Sequence, residues 1–155
     1  MLCKLTEIRD FLLLTAHLAT AGQPTLEQFS DIRAAGYEVV INLVPSANPN
    51  FLNGEPDYIA ALGMEYIGIS VDWGAPTSED LHSFFNAMRR HQTRKIFVHC
   101  AANKRASVFV FLYRVLRLQM DEADAEDDLE KIWVPEGTWR VFLNEMLAQE
   151  PQIIK

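Results

Sequence analysis

The sequence predicts an α/β fold: a mostly parallel central sheet flanked by helices on both faces. Two observations carry the prediction. Short apolar runs of strand length, "EVVINLV" (38–44), "MEYIGISV" (64–71) and "KIFVH" (95–99), alternate with segments of helical periodicity. Each strand is followed by a loop and a helix, the connection that returns the next strand parallel and gathers sites at the strands' carboxyl ends. The 155 residues read as one domain over 1–155, because no linker divides them and two full cores would not fit.

The elements follow in order from residue 25. In "TLEQFSDIRAAG" (25–36), Thr25 and Gln28 form a capping-box pattern, apolar residues recur at 26, 29 and 32, and Gly36 can end the helix. The run 38–44 is a buried strand by its β-branched content, and "PSANPNFLNG" (45–54) is a loop by its Pro, Asn and Gly density. "EPDYIAALG" (55–63) is a short helix leading into the strand 64–71. The turn-rich "DWGAPT" (72–77) precedes "SEDLHSFFNAMRRH" (78–91), an amphipathic helix with acidic residues in its first turn and basic ones in its last, as the helix dipole prefers. After the strand 95–99, "RASVFVFLYRVLRL" (105–118) is apolar enough to be a helix buried on most sides. Two further helices are expected near 121–132 and 136–149.

Composition narrows the function classes. The net charge is −7, and the acidic excess is concentrated in "DEADAEDDLE" (121–130), read as a solvated helix face, which argues against nucleic acid as a partner. No apolar run approaches the ~20 residues of a membrane span. The segment before residue 25 carries Lys4, Glu7, Arg9 and Asp10 and no persuasive cleavage site, so no signal peptide is read there. The two cysteines, Cys3 and Cys100, are not expected to pair, which fits a reducing, cytoplasmic location. His17, His82 and His91 show no metal-ligand spacing with either cysteine, and no Walker-type glycine loop is present, so neither a metal nor a cofactor is expected.

Chemistry points to "VHCAANKRAS" (98–107). Cys100 ends a strand and faces the start of a helix, where free backbone N–H groups and the dipole attract anions and favour thiolate, the nucleophilic form. Arg105 adds a fixed cation able to clamp two phosphate oxygens. Asn103 suits the positive φ that such a loop needs, and Ala101 and Ala102 are small enough for an oxyanion to reach the backbone. The residues 100–106, with Lys104 and Ala106, therefore read as an anion nest over a thiolate. The other reading is a buried core thiol in a strand-to-helix turn.

"HCAANKRAS" resembles the loop of the cysteine-dependent protein tyrosine and dual-specificity phosphatases, H-C-x5-R-[S/T], with Asn103 where that family usually has Gly. Here Cys100 and Arg105 are separated by four residues rather than five. "VDWGAP" (71–76) resembles the D-x-G-x-P part of the family's general-acid loop and lies ahead of the Cys loop as it does there. "GQPTLEQFSDIRAAGYEVVINLVP" (22–45) is similar to a small bacterial branch that occurs alone or beside β-lactamase-like hydrolase domains and commonly carries C-x4-R loops. The resemblance implies a tyrosine-phosphatase-like fold and hydrolysis of phosphomonoesters through a phosphocysteine. Its partners would be a phosphorylated protein or small molecule and, in the loop, phosphate or another oxyanion. Cys100 would be the nucleophile, Arg105 the phosphate clamp and Asp72 the general acid. Asp72 has the alternative of capping the next helix, with Glu79 or Asp80 then supplying the carboxyl. His99 tunes the thiol or is a hydrogen-bonded core histidine. Ser107 bonds the thiolate or helps cap the helix, Lys104 is a phosphate ligand or a surface charge, and Trp73 walls the pocket or only packs. Two alternatives stay beside the phosphatase: a phosphate-binding protein of weak turnover, with Ala106 in the arginine slot, and a rhodanese-like sulfurtransferase.

Overall fold

A computed structural model describes residues 2–149, with side chains from position 4 onward, so the expectation for the Cys3 thiol lies outside the described residues. Five strands, β1 (Leu12–Thr15), β2 (Leu18–Ala21), β3 (Val39–Asn42), β4 (Glu65–Gly68) and β5 (Ile96–His99), form one sheet in the order β1-β2-β5-β3-β4. All neighbours pair in parallel except β1, which folds back antiparallel on β2. The mostly parallel α/β architecture is the one expected. The β1–β2 hairpin is the addition, in a stretch to which the sequence reading assigned no element.

The helices are α1 (Leu2–Leu5), α2 (Leu26–Ala34), α3 (Glu55–Ala61), α4 (Ser78–Arg90), α5 (Lys104–Leu116), α6 (Glu122–Glu130) and α7 (Thr138–Gln149). Strand alternation divides them between two cores. Leu18, Val39, Ile41, Ile96 and Val98 pack with Leu81, Phe84, Phe109, Leu112 and Trp139 from α4, α5 and α7. On the opposite face Ala19, Ala21, Val40 and Phe97 meet Phe29, Ile32 and Ile59 from α2 and α3. Every residue of α5 from Arg105 to Leu116 is buried, as its apolar circumference requires. No helix among the described residues is long and apolar enough to cross a membrane.

Local chemistry sets the helix starts. Thr25 Oγ1 accepts from the Gln28 N–H at 3.1 Å while Gln28 Oε1 accepts from the Thr25 N–H at 3.0 Å, completing the anticipated capping box. Thr77 and Asp80 repeat the device at α4, at 3.0 and 3.2 Å. Because β3, β4 and β5 run parallel, the loops that follow them open at one edge of the sheet, and β5, the middle strand, delivers Cys100 there.

Candidate active site

β5 is paired on both sides, by β2 and β3, so the strand that carries Cys100 has little freedom to shift. The Cys100 N–H donates to the Ala21 carbonyl at 3.3 Å, and the Ala101 carbonyl accepts from the Gln23 N–H at 3.0 Å. Gly22 bridges to Ala102 at this point. A Cβ on Gly22 would stand 2.6 Å from the Ala101 carbonyl oxygen, so the approach needs glycine. Asn103 has φ 64°, the left-handed conformation expected of it. Its Nδ2 donates to the Asp10 carbonyl at 2.8 Å and to Thr20 Oγ1 at 2.9 Å, so the side chain that permits the turn also ties the loop to β2. From there α5 begins, and the Ala106 N–H points at Cys100 Sγ at 3.5 Å. The thiol, 1% exposed, thus sits against the Ala106 amide in the first turn of α5.

Cys100, Ala101, Ala102, Lys104 and Arg105 line an open cavity of about 370 Å³, joined by Asn48, Asn50 and Trp73 from the loops after β3 and β4. Arg105 is only 5% exposed and its Nη1 donates to the Val71 carbonyl at 2.9 Å. That bond stretches the guanidinium between the Cys loop and the residue preceding Asp72. Ala106 is fully buried in α5, so the cation reaching the cavity comes from position 105.

Asp72 is exposed between Val71, which holds Arg105, and Trp73, which lines the cavity. It is not itself among the lining residues, and its carboxylate makes no hydrogen bond or ion pair among the described residues. Thr77 and Asp80 supply the cap of α4, so Asp72 does not perform that task, and the Asp80 carboxylate is spent on it. Glu79 is exposed in the first turn of the same helix.

The tryptophans of the chain, Trp73, Trp133 and Trp139, all converge beside the loop. Trp73 lies 5.5 Å from Trp139 and 5.7 Å from Trp133 between ring centroids, and its carbonyl accepts from Trp139 Nε1 at 2.8 Å. Trp73 is therefore both cavity wall and packed side chain. Lys104 Nζ stands 5.3 Å over the Trp133 ring, a cation–π position, while lining the cavity. The Ser107 hydroxyl donates to the Lys104 carbonyl at 2.9 Å and accepts from Trp133 Nε1 at 3.1 Å. Ser107 is thus engaged within the first turn of α5 and with Trp133.

His99 is fully buried. Its Nδ1 meets the Cys100 carbonyl at 3.1 Å and its Nε2 meets Glu55 Oε2 at 2.7 Å. Glu55, also fully buried, accepts on Oε1 from Gln23 Nε2 at 2.9 Å. Glu55 belongs to the neighbourhood of the site and was not singled out from the sequence, where an acid opening a short helix reads as solvated. Its charge extends to Tyr66. Burial pushes that phenol up, the Asn42 amide bonded to its oxygen pulls it down, and Glu55 raises it again.

A five-stranded α/β sheet whose middle strand ends in a cysteine facing a helix start, with an arginine over the same cavity, defines the protein tyrosine and dual-specificity phosphatase class of fold. The chain belongs to the family described as DSP-PTPase phosphatase fused to NAD+ kinase, whose model matches residues 12–137. A DUF442 protein from Shewanella putrefaciens CN-32 shares 33% identity at a TM-score of 0.87, with 98% of this chain and 100% of that chain covered. The "Beta-lactamase hydrolase-like protein" of Xylella fastidiosa strain Temecula1 is 30% identical over 113 residues, 70% of this chain. The match spans 26% of that relative's length. The core catalytic domain of the PP-IP phosphatase SIW14 from S. cerevisiae superposes at a TM-score of 0.72 with 15% identity, over 91% of this chain and 86% of that one, and shares the fold.

Proposed function

We propose that this chain is a cysteine-dependent phosphomonoester hydrolase. The observation that supports it best is that Cys100 and Arg105 line one open cavity at the carboxyl edge of the sheet, the arginine braced by the Val71 carbonyl. The Cys100 thiolate attacks phosphorus while two guanidinium N–H groups of Arg105 and the amides of residues 101–106 hold the equatorial oxygens. The ester oxygen departs with a proton from the Asp72 carboxyl, leaving a phosphocysteine. Water then attacks phosphorus, giving a proton back to Asp72 and releasing inorganic phosphate and the thiolate. Lys104 adds a second cation at the rim, and Trp73 supports the leaving group. The substrate is a phosphoprotein or a small phosphomonoester, handled in the cytoplasm.

Two observations favour a second reading. Asp72 is not among the lining residues, and a loop with only four residues between Cys and Arg is short. Rhodanese-type sulfur transfer through a Cys100 persulfide needs no mobile acid and suits a short loop.

Hydrolysis of p-nitrophenyl phosphate by the full chain tests the first reading. Cys100→Ser is expected to abolish turnover, Arg105→Lys to lower kcat by about 10²–10³-fold, and Asp72→Asn by roughly 10²–10⁴-fold. Wild-type protein that binds vanadate through Cys100 without turning over is a phosphate-binding protein instead. Transfer of sulfur from thiosulfate to cyanide, lost in Cys100→Ser, would establish the sulfurtransferase.

A further inference from the structure

Tyr113, in the last turn of α5, is only 5% exposed, yet its hydroxyl has no hydrogen-bond partner among the described residues. A phenol buried to that degree ordinarily donates its O–H to a neighbour. Its ring is held in place by α4, with Phe85 at 5.7 Å and Phe84 at 6.4 Å between centroids. Tyr113 lines two adjoining cavities, of about 380 and 210 Å³, which also share Gln92 and Leu118. Together they form a groove at the edge of the sheet remote from the Cys loop. Ile96, the first residue of β5, lines the smaller cavity, whereas Cys100 follows the last.

The groove is polarised along its length. No carboxylate lines either cavity, in a chain whose net charge is −7. In the smaller cavity Arg94 and Arg114 are already matched, to Glu65 at 3.0 Å and to Asp128 at 2.9 Å, and Leu18, Met88 and Ile96 supply apolar walls. In the larger one the Arg89 side chain makes no hydrogen bond or ion pair among the described residues, and the Arg117 guanidinium lies 4.6 Å over the Phe85 ring. Both cations act on Tyr113: burial pushes the phenol up, while the charges of Arg117 and Arg89 draw it down. An unmatched cation, a second guanidinium and a phenol O–H therefore converge at one end, and hydrocarbon lines the other. Leu118, 55% exposed, borders both cavities. Apolar walls with a few convergent polar groups are the usual make-up of a small-molecule site, and guanidinium and phenol donors together suit an anionic head.

We propose that the groove between the far ends of α4 and α5 binds a small organic anion with an apolar body. Its head is held by Arg89, Arg117 and the Tyr113 hydroxyl, and its body lies along Leu118 toward Met88 and Ile96. None of these residues lines the Cys100 cavity, so the site stands whether or not the chain hydrolyses phosphomonoesters.

The test is a ¹H–¹⁵N NMR titration of the full chain with 1-naphthoate, a bicyclic body carrying one carboxylate. Saturable shifts are expected in the amides of 85–92 and 113–118, with a Kd of about 0.1–1 mM for a ligand of this size. No such saturation is expected with 1-naphthylmethylamine, which has the same body and a cationic head. Tyr113→Phe keeps the packed ring and loses only the hydroxyl, and Arg89→Gln alters an exposed side chain, so both preserve the fold. Each is expected to raise the Kd for 1-naphthoate by about five- to twentyfold, whereas Cys100→Ser leaves it unchanged. Shifts confined to residues 100–106 would overturn the proposal by assigning the carboxylate to the Cys100 cavity. Equal affinity for the amine, or variants that bind as tightly as wild type, would overturn it by reducing the groove to apolar contact alone. The absence of any saturable shift up to about 10 mM would do the same outright.

Discussion

Asn103 shows how one side chain can satisfy two demands of the Cys loop. The chain must turn through the left-handed region to aim its amides at an anion, and the turn must be held against β2. Glycine would meet the first demand alone. Asparagine meets both, because its φ of 64° is tolerated and its amide reaches Asp10 and Thr20. The expected order of stability in urea denaturation is therefore wild type, then Asn103→Gly, then Asn103→Ala. The glycine variant forfeits two hydrogen bonds at about 1 kcal/mol each. The alanine variant forfeits the same bonds and adds roughly 1–2 kcal/mol of left-handed strain. Equal stability of the two variants would mean that the turn relaxes and carries no strain. The positive φ was readable from composition, since Asn is the common substitute for Gly. The partners were not, because Asp10 and Thr20 lie 93 and 83 residues away along the chain.

At the level of elements, contact between the end of β2 and the Cys loop decides whether the nest keeps its shape. Gly22 permits it: an added Cβ would lie 2.6 Å from one backbone oxygen and 3.2 Å from the Ala102 Cα, with no flexible side-chain tip to yield at either. Gly22→Ala is expected to cost about 1–3 kcal/mol in thermal or urea denaturation and to weaken vanadate binding as the loop is pushed off the strand. Unchanged vanadate affinity would show that the loop is shaped from β5 and α5 alone. Strands β3, β4 and β5 were legible as β-branched runs, and α2, α4 and α5 from caps, dipole-matched ends and apolar periodicity. β2 is "LATA", buried at all four positions, but four residues with Thr20 as the sole β-branched one carry little strand signal. β1 is "LLLT", whose leucines suit a helix as well as a strand. Glu55 escaped for a related reason, since its partner His99 is 44 residues distant and only the parallel sheet brings them together.

Across the whole molecule, α5 joins the two ends of the fold. It presents Arg105 to the cavity at its start and Arg114 to α6 near its end. The acidic segment 121–130 was expected to be a solvated face, and most of it is, but Ala125 and Leu129 pack inward and Asp128 turns to the basic groups. Arg114 Nη1 donates to Asp128 Oδ2 at 2.9 Å and Lys131 Nζ to Oδ1 at 2.9 Å. Burial alone would push the Asp128 carboxyl up, but the hydrogen bonds and charges of Lys131 and Arg114 outweigh it and hold the carboxyl below its ordinary 3.8. A carboxyl depressed in the folded state stabilises above its unfolded value, and that contribution disappears as pH falls through the folded value. The Tm of wild type should therefore exceed that of Asp128→Asn by about 2–4 °C near neutral pH, as expected for roughly 1 kcal/mol in a chain of this length. The gap should begin to narrow as the pH falls through the ordinary carboxylate range and close once it passes the lower folded value. A gap that stayed constant from neutral pH down to pH ~2 would mean that Asp128 holds α6 by shape rather than by charge. Arg114→Gln should weaken the same pH dependence from the other side of the contact without abolishing it, since Lys131 still bonds the Asp128 carboxylate, while Ala125 and Leu129 keep α6 packed inward.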